Sequence, residues 1–357
     1  MIWHDGMTPA RPFELVRESA CPGRAVLAEP DGSLYVGRNY EIHRSTDGGS
    51  SWSFETAMRR GFGRRAIEPS RLACRAFRHE VRAMARLSDG SYVAASKKGV
   101  YFSRPGQRTM SVSRVEIVDR LKPPMMIGVG PANRVVWGEY STTNRDRPAV
   151  RVYASDDGGA SFHVVYTFGP SEIRHVHNVF YDASAAHYWV LTGDHGKEPG
   201  IGRLSADFRT FEWLVRARQE YRAVCLFDFG DHFVYGTDTE NEPNHVIRLD
   251  KRTGHSERIA PLVGTCIYGC RFGGIYAIST TVEISQANPS REATLLLSRD
   301  GEKWETVLRA RKDFLPQKLF QWGSLILPRG ESNRERLLVS GQALCGMDGE
   351  TVTMSVR

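Results

Sequence analysis

The stretch Ser45-Thr46-Asp47-Gly48-Gly49-Ser50-Ser51-Trp52 reads as Ser-x-Asp-x-Gly-x-x-Trp, with strand-forming residues on both sides. The pattern returns as Ser155-Asp156-Asp157-Gly158-Gly159-Ala160-Ser161-Phe162 and, one residue shorter, as Ser298-Arg299-Asp300-Gly301-Glu302-Lys303-Trp304. A weaker copy is Ser205-Ala206-Asp207-Phe208-Arg209-Thr210-Phe211. Such a segment makes a hairpin turn: the Asp carboxylate accepts from local amides, glycine supplies positive φ, and the closing aromatic is left to pack sideways.

Asp47, Asp157, Asp207, Asp250, Asp300 and Asp348 all fall in turn-like contexts, mostly 43 to 50 residues apart. The first gap, 110 residues, is twice as wide, and residues 103–110 fill its middle as a turn without the Asp. A period of about 40 to 50 residues with four short strands is that of a propeller blade. The expected fold is therefore all-β, a single seven-bladed β-propeller of four-stranded antiparallel blades, with six blades as the alternative. Its blades run near 18–57, 80–118, 125–168, 175–216, 221–260, 265–310 and 317–357. Glu14-Leu15-Val16-Arg17 is expected to add a strand to the last blade and so close the ring without exposed sheet edges. In residues 69–80, Leu72, Ala73, Ala76 and Phe77 also fit a short helix with an arginine-rich face.

The repeated turn resembles the Asp-box, or BNR repeat, of sialidase-superfamily β-propellers. The resemblance spans the chain as architecture and implies a structural role for Asp47, on the rim away from the chemistry. Sialidases carry an early Arg-Ile-Pro motif; residues 21–27 here read Cys-Pro-Gly-Arg-Ala-Val-Leu, and none of that family's catalytic residues is carried over. Seven-bladed polysaccharide lyases are a second comparison, combining His and Tyr proton-transfer groups with Arg and, in some members, a histidine-bound metal.

Apolar residues make up 41% of the 357 and charged residues 25%, which excludes wholesale disorder. No apolar run reaches the length of a membrane span, and the first residues lack a basic segment followed by an apolar core, so the expected location is cytoplasmic. Six cysteines scattered over the chain read as reduced core thiols; Cys266 and Cys270 lack zinc-knuckle spacing.

In a propeller the loops opposite the box turns surround the channel mouth, and functional residues concentrate on such loops. There the sequence gathers Arg174-His175-Val176-His177-Asn178, then Thr192-Gly193-Asp194-His195, then Asp238 and His245. His175 and His177 point the same way on an extended strand. With Asp194, His195 and Asp238 they make a candidate catalytic set, and His175, His177 and His195 a candidate set for a divalent metal, though none is required. Tyr221 is the candidate proton donor, with Arg222 beside it. Arg64, Arg65, Arg71, Glu139, Tyr140, Arg145, Arg174, Arg222 and His245 are candidate substrate contacts, since arginine forks grip carboxylates and sulfates. The arginine-rich stretch lacks interleaved aromatics, so nucleic acid is not the expected partner. The function expected is cleavage of an anionic, uronate- or sialate-like poly- or oligosaccharide at the channel mouth. A lyase would use His175 or His177 as base, a hydrolase the pair Asp194 and Asp238. A non-catalytic propeller that binds glycan or protein through the arginine-rich loop is the alternative.

Overall fold

The computed structural model describes residues 12–59, 67–116, 120–141 and 146–357. Backbone registers collect the strands into consecutive antiparallel sets of four. The first is Arg24–Ala28, Leu34–Arg38, Glu41–Ser45 and Ser53–Met58. Four-stranded sets follow over 83–112, 128–168, 175–216, 227–262 and 265–311. The last set takes Gly323–Ile326, Arg336–Gln342 and Glu350–Val356 from the end of the chain and Leu15–Pro22 from its beginning. That strand runs antiparallel to Glu350–Val356 from Leu15↔Val356 to Pro22↔Glu350. The chain is an all-β propeller whose seam is closed by its own N-terminal strand, which covers an edge that would otherwise recruit another chain.

The box turns are built as their residue types dictate. Asp47 Oδ1 accepts from the amides of Ser50 and Ser51 at 3.0 and 2.9 Å, and Ser45 Oγ from the amide of Gly49 at 2.8 Å. Asp157 and Asp300 repeat the scheme. In the weaker copy Phe208, at φ +62°, stands where glycine stands elsewhere. Asp348 departs from it. Because the last set borrows its fourth strand from the N-terminus, residues 343–349 join the second and third strands, on the rim opposite the box turns. There Asp348 accepts from Ala343 N and from Arg71 and Arg75.

The core lies between neighbouring sets, and the box aromatics help to fill it. Trp52 packs against Leu34, Val36 and Leu338, joining the first set to the last. Phe162 meets Trp137 edge-on at 5.6 Å in the layer between the second and third sets. Each aromatic buried this way contributes on the order of 1.5–3 kcal/mol.

The segment 69–80 forms a helix, α1 (Arg71–Phe77), capped by Ser70, whose side chain accepts from Ala73 N. Arg75, 2% exposed, pins it over the seam: its guanidinium pairs with Asp313 at 2.6 Å and donates from Nε to the Phe320 carbonyl at 2.9 Å.

Candidate active site

A cavity of about 790 Å³ opens at the rim opposite the box turns, and every set contributes to its wall. Arg24, Arg78, Arg82, Lys97, Arg120, Lys122, Arg174 and Arg222 face it, against the carboxylates Glu80, Asp194, Glu240 and Glu283. Among the described residues, eight cations to four anions make it a basic cavity, suited to an anionic ligand.

Below its floor sits a buried polar cluster. The strand His175–Asp182 pairs with His187–Gly193 so that His175 lies opposite Gly193, which delivers Asp194 beside both histidines. Gly193 is required: a Cβ there would stand 2.5 Å from His177 Cε1. Asp194 Oδ1 lies 3.1 Å from His175 Nε2 and 3.4 Å from His177 Nε2, and the two Nε2 atoms are 3.0 Å apart. His175 Nδ1 is 2.9 Å from the Ser141 carbonyl and His177 Nδ1 2.9 Å from that of Ala223. A carbonyl only accepts, so both Nδ1 atoms carry hydrogen, and in neutral imidazoles both Nε2 atoms present lone pairs to each other and to the carboxylate.

Three electron-pair donors converging in this way call for a proton or a cation between them. A divalent ion with bonds of ~2.1 Å holds its ligands ~3.0 Å apart at right angles and ~3.4 Å apart at tetrahedral angles. The three separations fall in that range. The backbone carbonyls are the outer-sphere acceptors that metal-binding histidines use. His175, His177 and Asp194 therefore fit a divalent metal, and among the described residues they are the cluster of such side chains whose ligand atoms lie within 4.8 Å of one another.

Arg222 ties the cluster together. Its Nη2 is 3.0 Å from Asp194 Oδ1 and its Nε 3.4 Å from Asp238 Oδ2, while its carbonyl accepts from Asp238 N. Burial works to raise the Asp194 pKa, but His175, His177 and Arg222 overcome it and hold the carboxyl ionised far below the usual range. Asp238 goes the other way: burial outweighs Arg222 and His177, and Glu283 and Asp194 add repulsion, raising it to about 7. The Tyr140 ring tilts over His175 at 4.4 Å, with Arg82 5.2 Å from its centroid. Its phenol is held protonated by burial and by Asp194.

The sequence candidates are therefore sorted by depth. Asp194, His195, Tyr140, Arg174 and Arg222 line the cavity. His175 and His177, 0% and 2% exposed, back Asp194 from below, and Asp238, 6% exposed, lies behind Arg222. His195 leaves the metal-competent cluster and pairs with Glu240 across the wall at 3.4 Å. Tyr221 packs among Trp189, Phe233 and Tyr235, with its hydroxyl near Arg218, away from the cavity. Glu139 is held inside the third set by Arg151 and Lys122. His245 lies on the strand Asn244–Asp250, bonded to the Pro243 carbonyl. Arg71 bonds Asp348 and lines a smaller cavity of about 220 Å³ at the seam. Arg64, Arg65 and Arg145 lie outside the described residues. Sequence reasoning missed Glu283 and Lys122 on the wall. Glu283 stood inside a rim loop already placed at the mouth, and its alternation with Thr281 at the end of an apolar strand was the available signal.

No protein-family model and no curated protein matches the sequence. Solved structures do share the fold. A chain of the mitotic checkpoint complex superposes with a TM-score of 0.60 at 8% identity, covering 99% of this chain and 98% of that one. An oligogalacturonate lyase in complex with manganese gives 0.59 at 7% identity, with 96% of each chain covered. The extracellular domain of a one-component system from B. thetaiotaomicron gives 0.56 at 11% identity; it matches 98% of this chain, which spans 42% of that one. Identities this low establish the propeller fold alone. No helix among the described residues is long and apolar enough to cross a membrane.

Proposed function

We propose that this protein is a carbohydrate-active enzyme that cleaves an anionic, uronate-bearing oligo- or polysaccharide at the channel mouth by β-elimination. The observation that carries the reading is the convergence of His175, His177 and Asp194 beneath a basic cavity. A divalent cation held by these three would supply Lewis-acid neutralisation of the uronate carboxylate, lowering the cost of removing the neighbouring C5 proton. Arg174 and Arg222, both on the wall beside Asp194, grip the same carboxylate by charge-assisted hydrogen bonds. Tyr140 holds the phenolic proton nearest the cluster and stands ready to protonate the leaving oxygen. The fold-level likeness to a lyase in complex with manganese is consistent with this chemistry.

Hydrolysis through Asp194 and Asp238 has one observation in its favour, since the first is held ionised and the second is raised. Asp238 nonetheless lies behind Arg222 and off the cavity wall, which favours elimination. We further read the four-stranded sets as seven blades of one domain, and their Ser-x-Asp-x-Gly turns as Asp-boxes of the sialidase-like kind. The six free cysteines support a reducing, cytoplasmic setting.

A panel of uronate glycans, assayed for the ultraviolet absorbance of an unsaturated product and for new reducing ends, tests the proposal. Elimination gives both signals, loses them on chelation, and regains them with Mn²⁺. Reducing ends without absorbance favour the hydrolase, and tight binding without either signal favours the binder.

A further inference from the structure

Among the described residues four carboxylates face the cavity, and three have a partner there. Asp194 is held by Arg222 at 3.0 Å, Glu80 by Arg24 at 3.1 Å and Glu240 by His195 at 3.4 Å. Glu283 is not: among the described residues no cationic side chain stands within ion-pair distance of it, and its Oε2 is buried with no hydrogen-bond partner. Its place follows from the strand. Ile275–Val282 alternates, so that Val282 enters the core at 2% exposure while Thr281 and Glu283 turn to the cavity. The backbone there is fixed by Thr281↔Ser324 and Val282↔Gly323 pairing to the next set.

We propose that Glu283 is the general base of the reaction on the cavity wall, the group that removes the C5 proton from a bound uronate; this rests on the elimination reading above. His175 and His177 are a poorer choice. Both are buried beneath Tyr140 and Asp194, both Nδ1 hydrogens are committed to carbonyls, and both Nε2 atoms point at Asp194 rather than into the cavity. The step balances as follows. The C5–H bond breaks and its proton goes to Glu283; its electron pair forms the C4–C5 double bond; the C4–O bond breaks, and the leaving oxygen takes the Tyr140 phenol proton. Glu283 then releases its proton to solvent, and Tyr140 regains one from water.

The surroundings tune this carboxyl for the task. Burial raises it first; Arg222 opposes, and Glu240 and Asp194, with Asp238 behind, repel a second negative charge, bringing it to about 7. Thr265, close by, works with Arg222 to lower it. A base poised near neutrality transfers protons most effectively at working pH. Since the ionised form is the active one, activity should rise with pH through about 7.

The experiment compares wild type, E283Q and E283D in the unsaturated-product assay, with Mn²⁺ titration of each and infrared difference spectra of the protonated-carboxyl band against pH. The expected result is a kcat about 10²- to 10⁴-fold lower for E283Q with little change in KM, loss of its acid limb, partial recovery in E283D, and unchanged Mn²⁺ binding. The infrared band should titrate near neutrality in wild type, and E283Q should remove the Glu283 part of it while the Asp238 part persists. E283Q with wild-type kcat, or an infrared band that E283Q leaves unchanged, overturns the assignment. A wild type inert on every uronate, with a band component that E283Q removes, overturns elimination and leaves the poised carboxyl standing, so the two failures are distinguishable.

Discussion

Asp194→Asn removes one negative charge and changes almost nothing in shape, which makes it the sharpest probe of the buried cluster. The carboxylate is 11% exposed and faces Arg222, 7% exposed, at 3.0 Å, with Arg174 3.7 Å from its other oxygen. A surface pair of this kind would be worth under about 1 kcal/mol. Here the change leaves a desolvated guanidinium with Asp238, at 3.4 Å, as its ion-pair partner among the described residues, and breaking a buried pair costs about 3–5 kcal/mol. The retained amide oxygen and the partial exposure of the site favour the lower end, about 3 kcal/mol. The loss should be largest near neutral pH. Asp194 is held ionised in the fold, so its stabilisation is complete above the unfolded carboxyl pKa of about 3.9 and fades as pH falls through that value and below. Wild type and variant should thus converge in acid. The same substitution removes the anionic ligand of the triad, and Mn²⁺ affinity should fall by at least about 100-fold, more than loss of an outer-sphere partner brings. Urea unfolding across pH and calorimetric Mn²⁺ titration read the two effects. A stability loss under 1 kcal/mol, together with Mn²⁺ affinity within a few fold of wild type, would refute both the buried pair and the metal-competent triad.

Two further substitutions test the frame that carries the site. Gly49→Ala places a Cβ 2.3 Å from Thr353 Oγ1 at a residue with φ +89°, so it should cost at least about 1–3 kcal/mol in urea unfolding and loosen the seam; wild-type stability would show that the first and last sets are not in register there. Arg75→Ala should cost about 3–5 kcal/mol and strip hydrogen-exchange protection from α1, and a helix as protected as in wild type would mean that Asp313 and Asp348 are not what pins it.

What was legible in the sequence was local in physical origin. Asp47 bonds amides three and four residues away, and Gly48 and Gly49 take φ values of +74° and +89°, so the turn is written in eight residues whatever surrounds them. The strand period brings His175 and His177 together, and their pairing to Gly193 admits Asp194. What was not legible was phase and depth. Asp348 keeps the repeat spacing, yet it sits on the other rim, because the last set completes itself with Leu15–Pro22, more than three hundred residues away in the chain. Tyr221 and Tyr140 are equally plausible phenols in sequence; packing buries the first among aromatics and lays the second over His175. Glu283 carries no motif at all.

The sequence by itself determined the β-propeller, the box-turn rim, the closing strand and the histidine pair, since each follows from turn chemistry or alternation within a few residues. Only the tertiary structure decided which side chains meet across the strand sets, that Asp194 rather than His195 completes the histidine pair, and that Glu283 on the wall has no ion-pair partner among the described residues. Those outcomes depend on distances between loops far apart in the chain, and no local propensity sets them.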